Sequence, residues 1–173
     1  MELRSRKPNR LQGFDYSTPG AYFVTACVKE KHCVLSRICV VGERNALPRA
    51  SVELTEIGAA VRRSIEAIPV HYPSVAVSQY VIMPNYIHLL IGLEGGGSAM
   101  RSPTIPTVMN QMKGAVTKEI GYSIWQRSYH DHILRTRTEY EQIWNYIVTN
   151  PETWEQDCFY GTDIKNRFKT EIL

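Results

Sequence analysis

The chain has 173 residues, 43% of them hydrophobic and 21% charged, which suits one soluble domain with a sizeable core. No apolar run approaches the roughly 20 residues of a membrane span, and MELRSRKPNR lacks the apolar centre of a secretory signal, so membrane and export classes are set aside. The net charge of +3 resides in residues 1–13, where Arg4, Arg6, Lys7 and Arg10 stand against Glu2, and the rest of the chain balances.

In chain order, GAYFVTACV (20–28) is β-branched and aromatic and follows Pro19, so it predicts a first strand. Residues 36–54 are mixed and suggest a loop or short hairpin. Thr55 can cap a helix with Ile57, Val61, Ile65 and Ile68 at a period near 3.6, closed by Pro69 and Pro73. Residues 75–83 and 86–93 read as two strands joined by a tight Pro84-Asn85 turn. EGGGSAMRSP (94–103) is a flexible connection, and a second helix runs from about Pro106 to Ile120. WQRSYHDHILR (125–135) is rich in rings and cations. Thr138-x-x-Glu141 reads as a capping box opening a third helix, with the stripe Tyr140, Ile143, Trp144 and Ile147, which should end at Asn150 before Pro151.

No repeat and no second domain is visible. The expected organisation is a basic arm over residues 1–13 and a single domain over residues 14–173. The order strand, helix, two strands, helix predicts an α+β fold, an antiparallel sheet with helices packed on it. The basic arm reads either as a polyanion contact or as a solvated tail. The four cysteines include no Cys-x-x-Cys pair, which points to reduced thiols in a cytosol.

Two places concentrate chemistry. Side chains alternate across a strand, so in YIHLLIGL one face takes Tyr86, His88 and Leu90 and the other takes Ile87, Leu89, Ile91 and Leu93. The aliphatic face must meet the helices, which leaves Tyr86 and His88 together on the opposite one. Such a pair can hold a small ion or a phosphate, or can serve as ordinary strand packing. On the third helix, Tyr146 and Asn150 are i and i+4 and hence neighbours, beside the apolar stripe. They read as a half-buried phenol and a terminal cap, or as part of a site. His130, Asp131, His132 and Arg135 either supplement such a site or pack and pair locally.

RLQGFDYSTPGAYFVTACV, YVIMPNYIHLLI, WQRSYHDHILR and YEQIWNYIVTNPETW, in that order, resemble the REP-associated tyrosine transposases, single-strand transposases of the HUH endonuclease superfamily. The resemblance spans Arg10 to Trp154. It implies a ferredoxin-like sheet faced by a helix that carries a tyrosine. It also implies a function: tyrosine-mediated cleavage and rejoining of single-stranded DNA near hairpins, with a 5′-phosphotyrosine link and a free 3′-hydroxyl. Tyr146 would be the nucleophile, His88 and Asn150 ligands of Mg²⁺ or Mn²⁺, and Arg4, Arg6, Lys7, Arg10 and Arg135 contacts to DNA. The implied partners are single-stranded or hairpin DNA, with the chain a monomer or homodimer in a prokaryotic cytoplasm at the nucleoid.

The chain departs from that pattern at Tyr86, where the family has the first histidine of a His-x-His pair. A neutral phenol is a poor ligand, its reference pKa being about 10 against about 6.5 for histidine. Tyr86 is thus a degenerate metal position, the cation is expected to bind weakly, and activity is expected to be impaired. Two alternatives stand beside the enzyme: an inactive hairpin-DNA-binding or regulatory protein of the same fold, and an RNA-binding ferredoxin-like domain. No RNP-like run supports the last.

Overall fold

The strand β1 (Gly20–Cys27) runs through the middle of a four-stranded sheet. The structure, a computed structural model, describes residues 13–41, 49–95 and 103–156. The cations Arg4, Arg6, Lys7 and Arg10 lie outside the described residues, as does nearly all of the arm to which they belong.

After β1, the hairpin β2 (Ser36–Val41) and β3 (Arg49–Leu54) forms a separate two-stranded sheet. The Ser36 hydroxyl ties it to the main sheet by donating to the Ile82 carbonyl at 2.8 Å. Helix α1 (Glu56–Glu66) follows, with Thr55 as its N-cap; the Thr55 side chain accepts from the Gly58 N–H at 3.0 Å. Gly58 itself is required there, because a Cβ would lie 1.9 Å from the Leu35 carbonyl oxygen. Pro69 does not close the helical segment. α1 ends at Glu66, and Pro69 sits in the first turn of a further short helix, α2 (Ile68–His71), where its missing N–H costs nothing.

The strands β4 (Val75–Ile82) and β5 (Tyr86–Leu93) form the expected hairpin, closed by Met83 N–H to the Tyr86 carbonyl at 2.9 Å. Pro84 presets its backbone for the turn. Helix α3 (Ile105–Ile120) is capped by Thr104 and stopped by Gly121 at φ 85°. The HDHIL stretch is a strand, β6 (His130–Leu134), which the ring-and-cation reading of 125–135 did not anticipate. It pairs with β1 and fills that strand's second side.

Helix α4 (Arg137–Thr149) opens on a capping box two residues earlier than expected: Thr136 with Glu139, rather than Thr138 with Glu141. Thr136 wins because the Glu139 carboxylate can reach the Thr136 and Arg135 N–H groups behind it. Asn150 ends the helix as expected, and a 3₁₀ segment (Asn150–Gln156) continues from it.

The main sheet has the order β4-β5-β1-β6, and all three pairings are antiparallel. With α1 after β1 and α3 after β5, this is the split β-α-β topology of the ferredoxin-like fold. One face carries Tyr22, Val24 and Ala26 of β1 and Ile87, Leu89 and Ile91 of β5 against Val61 and Ile65 of α1 and Val108, Met112 and Val116 of α3. The other face packs Cys27, Val81, Tyr86 and Leu90 against Ile147 of α4 and Trp154. The aliphatic and ring-bearing faces of β5 are divided as its alternation requires.

Candidate active site

Register places the functional side chains in rows across the ring-bearing face. His88 is opposite Val81 on one side and Thr25 on the other, and Thr25 is opposite His130. Tyr86 is opposite Cys27, and Phe23 stands between Leu90 and His132. α4 lies over these rows and contributes Tyr146 and Asn150.

His88 is held from two sides. Its Nδ1 is 2.8 Å from the Thr25 hydroxyl, and its Nε2 is 3.4 Å from the Tyr146 hydroxyl. Phe23 flanks the imidazole at 4.9 Å between ring centroids, and Tyr86 flanks it at 4.6 Å. The Tyr146 ring stands edge-on to Phe23 at 6.0 Å. Tyr146 is 42% exposed, whereas His88 is buried, so a substrate from solvent reaches the phenol first.

Tyr86 is fully buried. Its hydroxyl donates to Asn150 Oδ1 at 2.8 Å, and its ring stands 6.1 Å from that of Trp154. Asn150 is buried too, at the junction of α4 and the 3₁₀ segment.

Four of the expected site residues, Tyr86, His88, Tyr146 and Asn150, therefore form one cluster. Arg135 stands elsewhere: it is exposed, just beyond β6, and its backbone N–H serves the helix start through Glu139. His130 and His132 lie on the same sheet face, exposed on the edge strand. Two contributors escaped the sequence reading. Thr25 and Phe23 sit in an ordinary-looking strand, and only register brings them to His88; Thr25 is 63 positions from it. Of the expected α4 stripe, Ile147 is buried and Tyr140 and Ile143 are partly buried against the same cluster, while Trp144 is exposed.

As arranged, these atoms do not fit a Mg²⁺ or Mn²⁺ ion. Among the described residues the donors are one imidazole and one amide oxygen, neither a carboxylate, and the amide oxygen already accepts the Tyr86 proton. Such ions favour carboxylates and retained waters, and Tyr86 and Asn150 leave almost no exposed surface for water. Among the described residues, no group of three or more His, Cys, Asp or Glu side chains could hold a metal ion.

Fold and site together define a class: a ferredoxin-like α+β domain with a tyrosine-bearing helix laid over the open face of its sheet. The same fold occurs in a solved REP-associated tyrosine transposase bound to a REP hairpin, which is 20% identical with a TM-score of 0.56, over 88% of this chain and 74% of that one. The chain belongs to one family with a protein of uncharacterised function from Haemophilus influenzae (strain ATCC 51907 / DSM 11121 / KW20 / Rd). The two are 31% identical over 180 aligned positions, covering 91% of this chain and 94% of the relative. No protein-family model matches the chain.

Proposed function

We propose that the protein is a single-strand DNA transesterase that binds hairpin-bearing DNA and attacks a phosphodiester with Tyr146. The observation that carries this is the trio Tyr146–His88–Thr25: an exposed phenol, an imidazole nitrogen facing its hydroxyl, and a hydroxyl fixing the far side of the ring. A nucleophile, a base and a group that orients the base is the arrangement covalent catalysis requires. The 3.4 Å separation is loose, as such contacts often are before substrate binds.

In the step this arrangement supports, the Tyr146 oxygen bonds to phosphorus and the bond to the 3′-oxygen breaks. The phenol proton passes to His88 Nε2, and the released 3′-oxygen takes up a proton. The products are a 5′-phosphotyrosine and a 3′-hydroxyl. The tautomer needed is the one in which Nδ1–H donates to Thr25, so that Nε2 is the acceptor. Rejoining reverses the step, with a 3′-hydroxyl attacking and the phenolate leaving, and needs no energy source because the phosphodiester is conserved in the adduct. The hairpin as ligand is supported by the fold shared with the hairpin-bound transposase and by the basic residues Arg4, Arg6, Lys7 and Arg10.

A second reading, a hairpin-binding protein without cleavage, is favoured by the Tyr86–Asn150 bond, which fills the place where a catalytic cation would be expected. Both readings are tested with a pool of single-stranded oligonucleotides that share a hairpin and have randomised flanks. The expected result is a denaturation-resistant protein–DNA adduct that is abolished in Tyr146→Phe and still formed, though more slowly, in Tyr86→Phe. Hairpin binding without any adduct across the pool supports the second reading. An adduct that survives Tyr146→Phe overturns the assignment of the nucleophile. Deleting residues 1–10 should weaken hairpin binding and flatten its dependence on salt, since fewer counterions are released.

A further inference from the structure

We infer that the Tyr86 hydroxyl stands in for a cation, so that the site holds no divalent ion and Tyr86 is a positioning residue for Tyr146. The inference rests on the same site as the proposed function, but not on its chemistry.

The argument starts from what Asn150 Oδ1 needs. A buried amide oxygen must meet positive charge or a donated proton. Here a phenolic O–H supplies it at 2.8 Å from the strand below. Tyr86 reaches across the gap between sheet and helix because its side chain is long. Its ring is fixed between those of His88 and Trp154, and it is closed to solvent. The hydroxyl therefore has a defined place rather than a range of rotamers. A cation at this point would have to break the bond and displace a packed ring, and among the described residues it would find no group of carboxylates in return.

The bond also has a mechanical result. Ile147 and Asn150 are the buried residues at the C-terminal end of α4, and Tyr146 lies one turn before Asn150. Fixing Asn150 to β5 fixes the height and rotation of that last turn. The Tyr146 hydroxyl is thereby held opposite His88 Nε2.

The test uses the whole protein without DNA, so its outcome is independent of whether adducts form. Mn²⁺ is titrated into wild type, Tyr86→His and Tyr86→Phe; uptake is followed by the paramagnetic resonance of free Mn²⁺, and melting is recorded in Mn²⁺ and in EDTA. Wild type is expected to take up no Mn²⁺ in the millimolar range and to melt at one temperature in both. Tyr86→His, which restores a nitrogen donor on the same strand face and frees Asn150 Oδ1, should take up one equivalent reversibly, any residual wild-type uptake being at least roughly tenfold weaker. Tyr86→Phe should melt below wild type in both buffers, because Asn150 Oδ1 loses its donor. The inference is overturned if wild type takes up one equivalent that Asn150→Ala or His88→Ala abolishes. Where those variants fail to fold, one equivalent of Mn²⁺ taken up by wild type that broadens the His88 ring resonances overturns the inference equally. Tyr86→Phe should also shift the ring resonances of Tyr146 and His88 in the folded protein; equal melting or unshifted resonances would overturn the positioning role.

Discussion

The two faces of the main sheet are built from the same strands yet have opposite characters. Towards α1 and α3, side chains from β1, β4 and β5 interlock with two helices in a core of aliphatic side chains together with the rings of Tyr16, Tyr22, Trp125 and Tyr129. Towards α4, the same strands present a phenol, an imidazole and a threonine hydroxyl under a helix of which Ile147 is the one buried side chain. The aliphatic face holds the domain together. The ring-bearing face can then spend burial on polar groups, because each is satisfied by a partner: Tyr86 by Asn150 and His88 by Thr25.

The contrast is tested most severely by Leu89→Ala against Phe23→Ala. Leu89 is fully buried on the helix-covered face, so its truncation should lower unfolding free energy by about 2–5 kcal/mol. Hairpin binding per folded molecule should be unchanged. Phe23 is half-buried beside His88 and Tyr146, so its truncation should cost less stability but weaken adduct formation. Denaturant titration with binding and adduct assays decides this; a larger stability loss at Phe23 would break the division of labour.

A smaller effect sharpens it. Thr25→Val removes the hydroxyl beside His88 Nδ1 and should cost about 1 kcal/mol. Adduct formation should fall by more than roughly tenfold through loss of the required tautomer, and Thr25→Ser should recover most of it. Equal rates for Thr25→Val and wild type would remove Thr25 from the working trio. Thr136→Ala, which deletes one half of the α4 capping box, should cost about 1 kcal/mol in urea unfolding.

The smallest effect is one of pH on the opposite face. The Tyr80 hydroxyl donates to Glu66 at 2.8 Å, and burial, then this bond, pushes its pKa up to about 12 from an ordinary value of 10.0. The folded value lies above the unfolded one, so the stabilisation is complete below the unfolded value and is lost as pH rises towards about 12. Tyr80→Phe should therefore flatten the alkaline fall in stability, measured by urea titration at increasing pH. An unchanged slope would assign that fall to other groups.

Much of this arrangement is readable in the sequence, and the exceptions have physical causes. The alternation of YIHLLIGL separates the two faces without any structure, and the i, i+4 spacing pairs Tyr146 with Asn150. HDHIL does not read as a strand because its first three residues are polar; it becomes one by pairing with the side of β1 left open by β5, a tertiary effect that local propensity does not encode. Thr25 and Phe23 are not legible in the sequence for a related reason, since their role depends on which residue of β5 lies opposite. The Tyr86–Asn150 bond is not encoded locally either: whether a phenol acts there as ligand or donor is decided by the separation of the two residues across the gap.

The seating of α4 also sets a hierarchy of opening. β5 is hydrogen-bonded to a strand on each side and covered by helices, so its amides should exchange with deuterium only when the whole domain unfolds. α4 is secured by its capping box, Ile147 and the Tyr86–Asn150 bond, so its amides should exchange through a local lifting that leaves the sheet intact. The helix that carries Tyr146 is the cover of its own site, and protection factors along the chain should drop from β5 to α4 as a step.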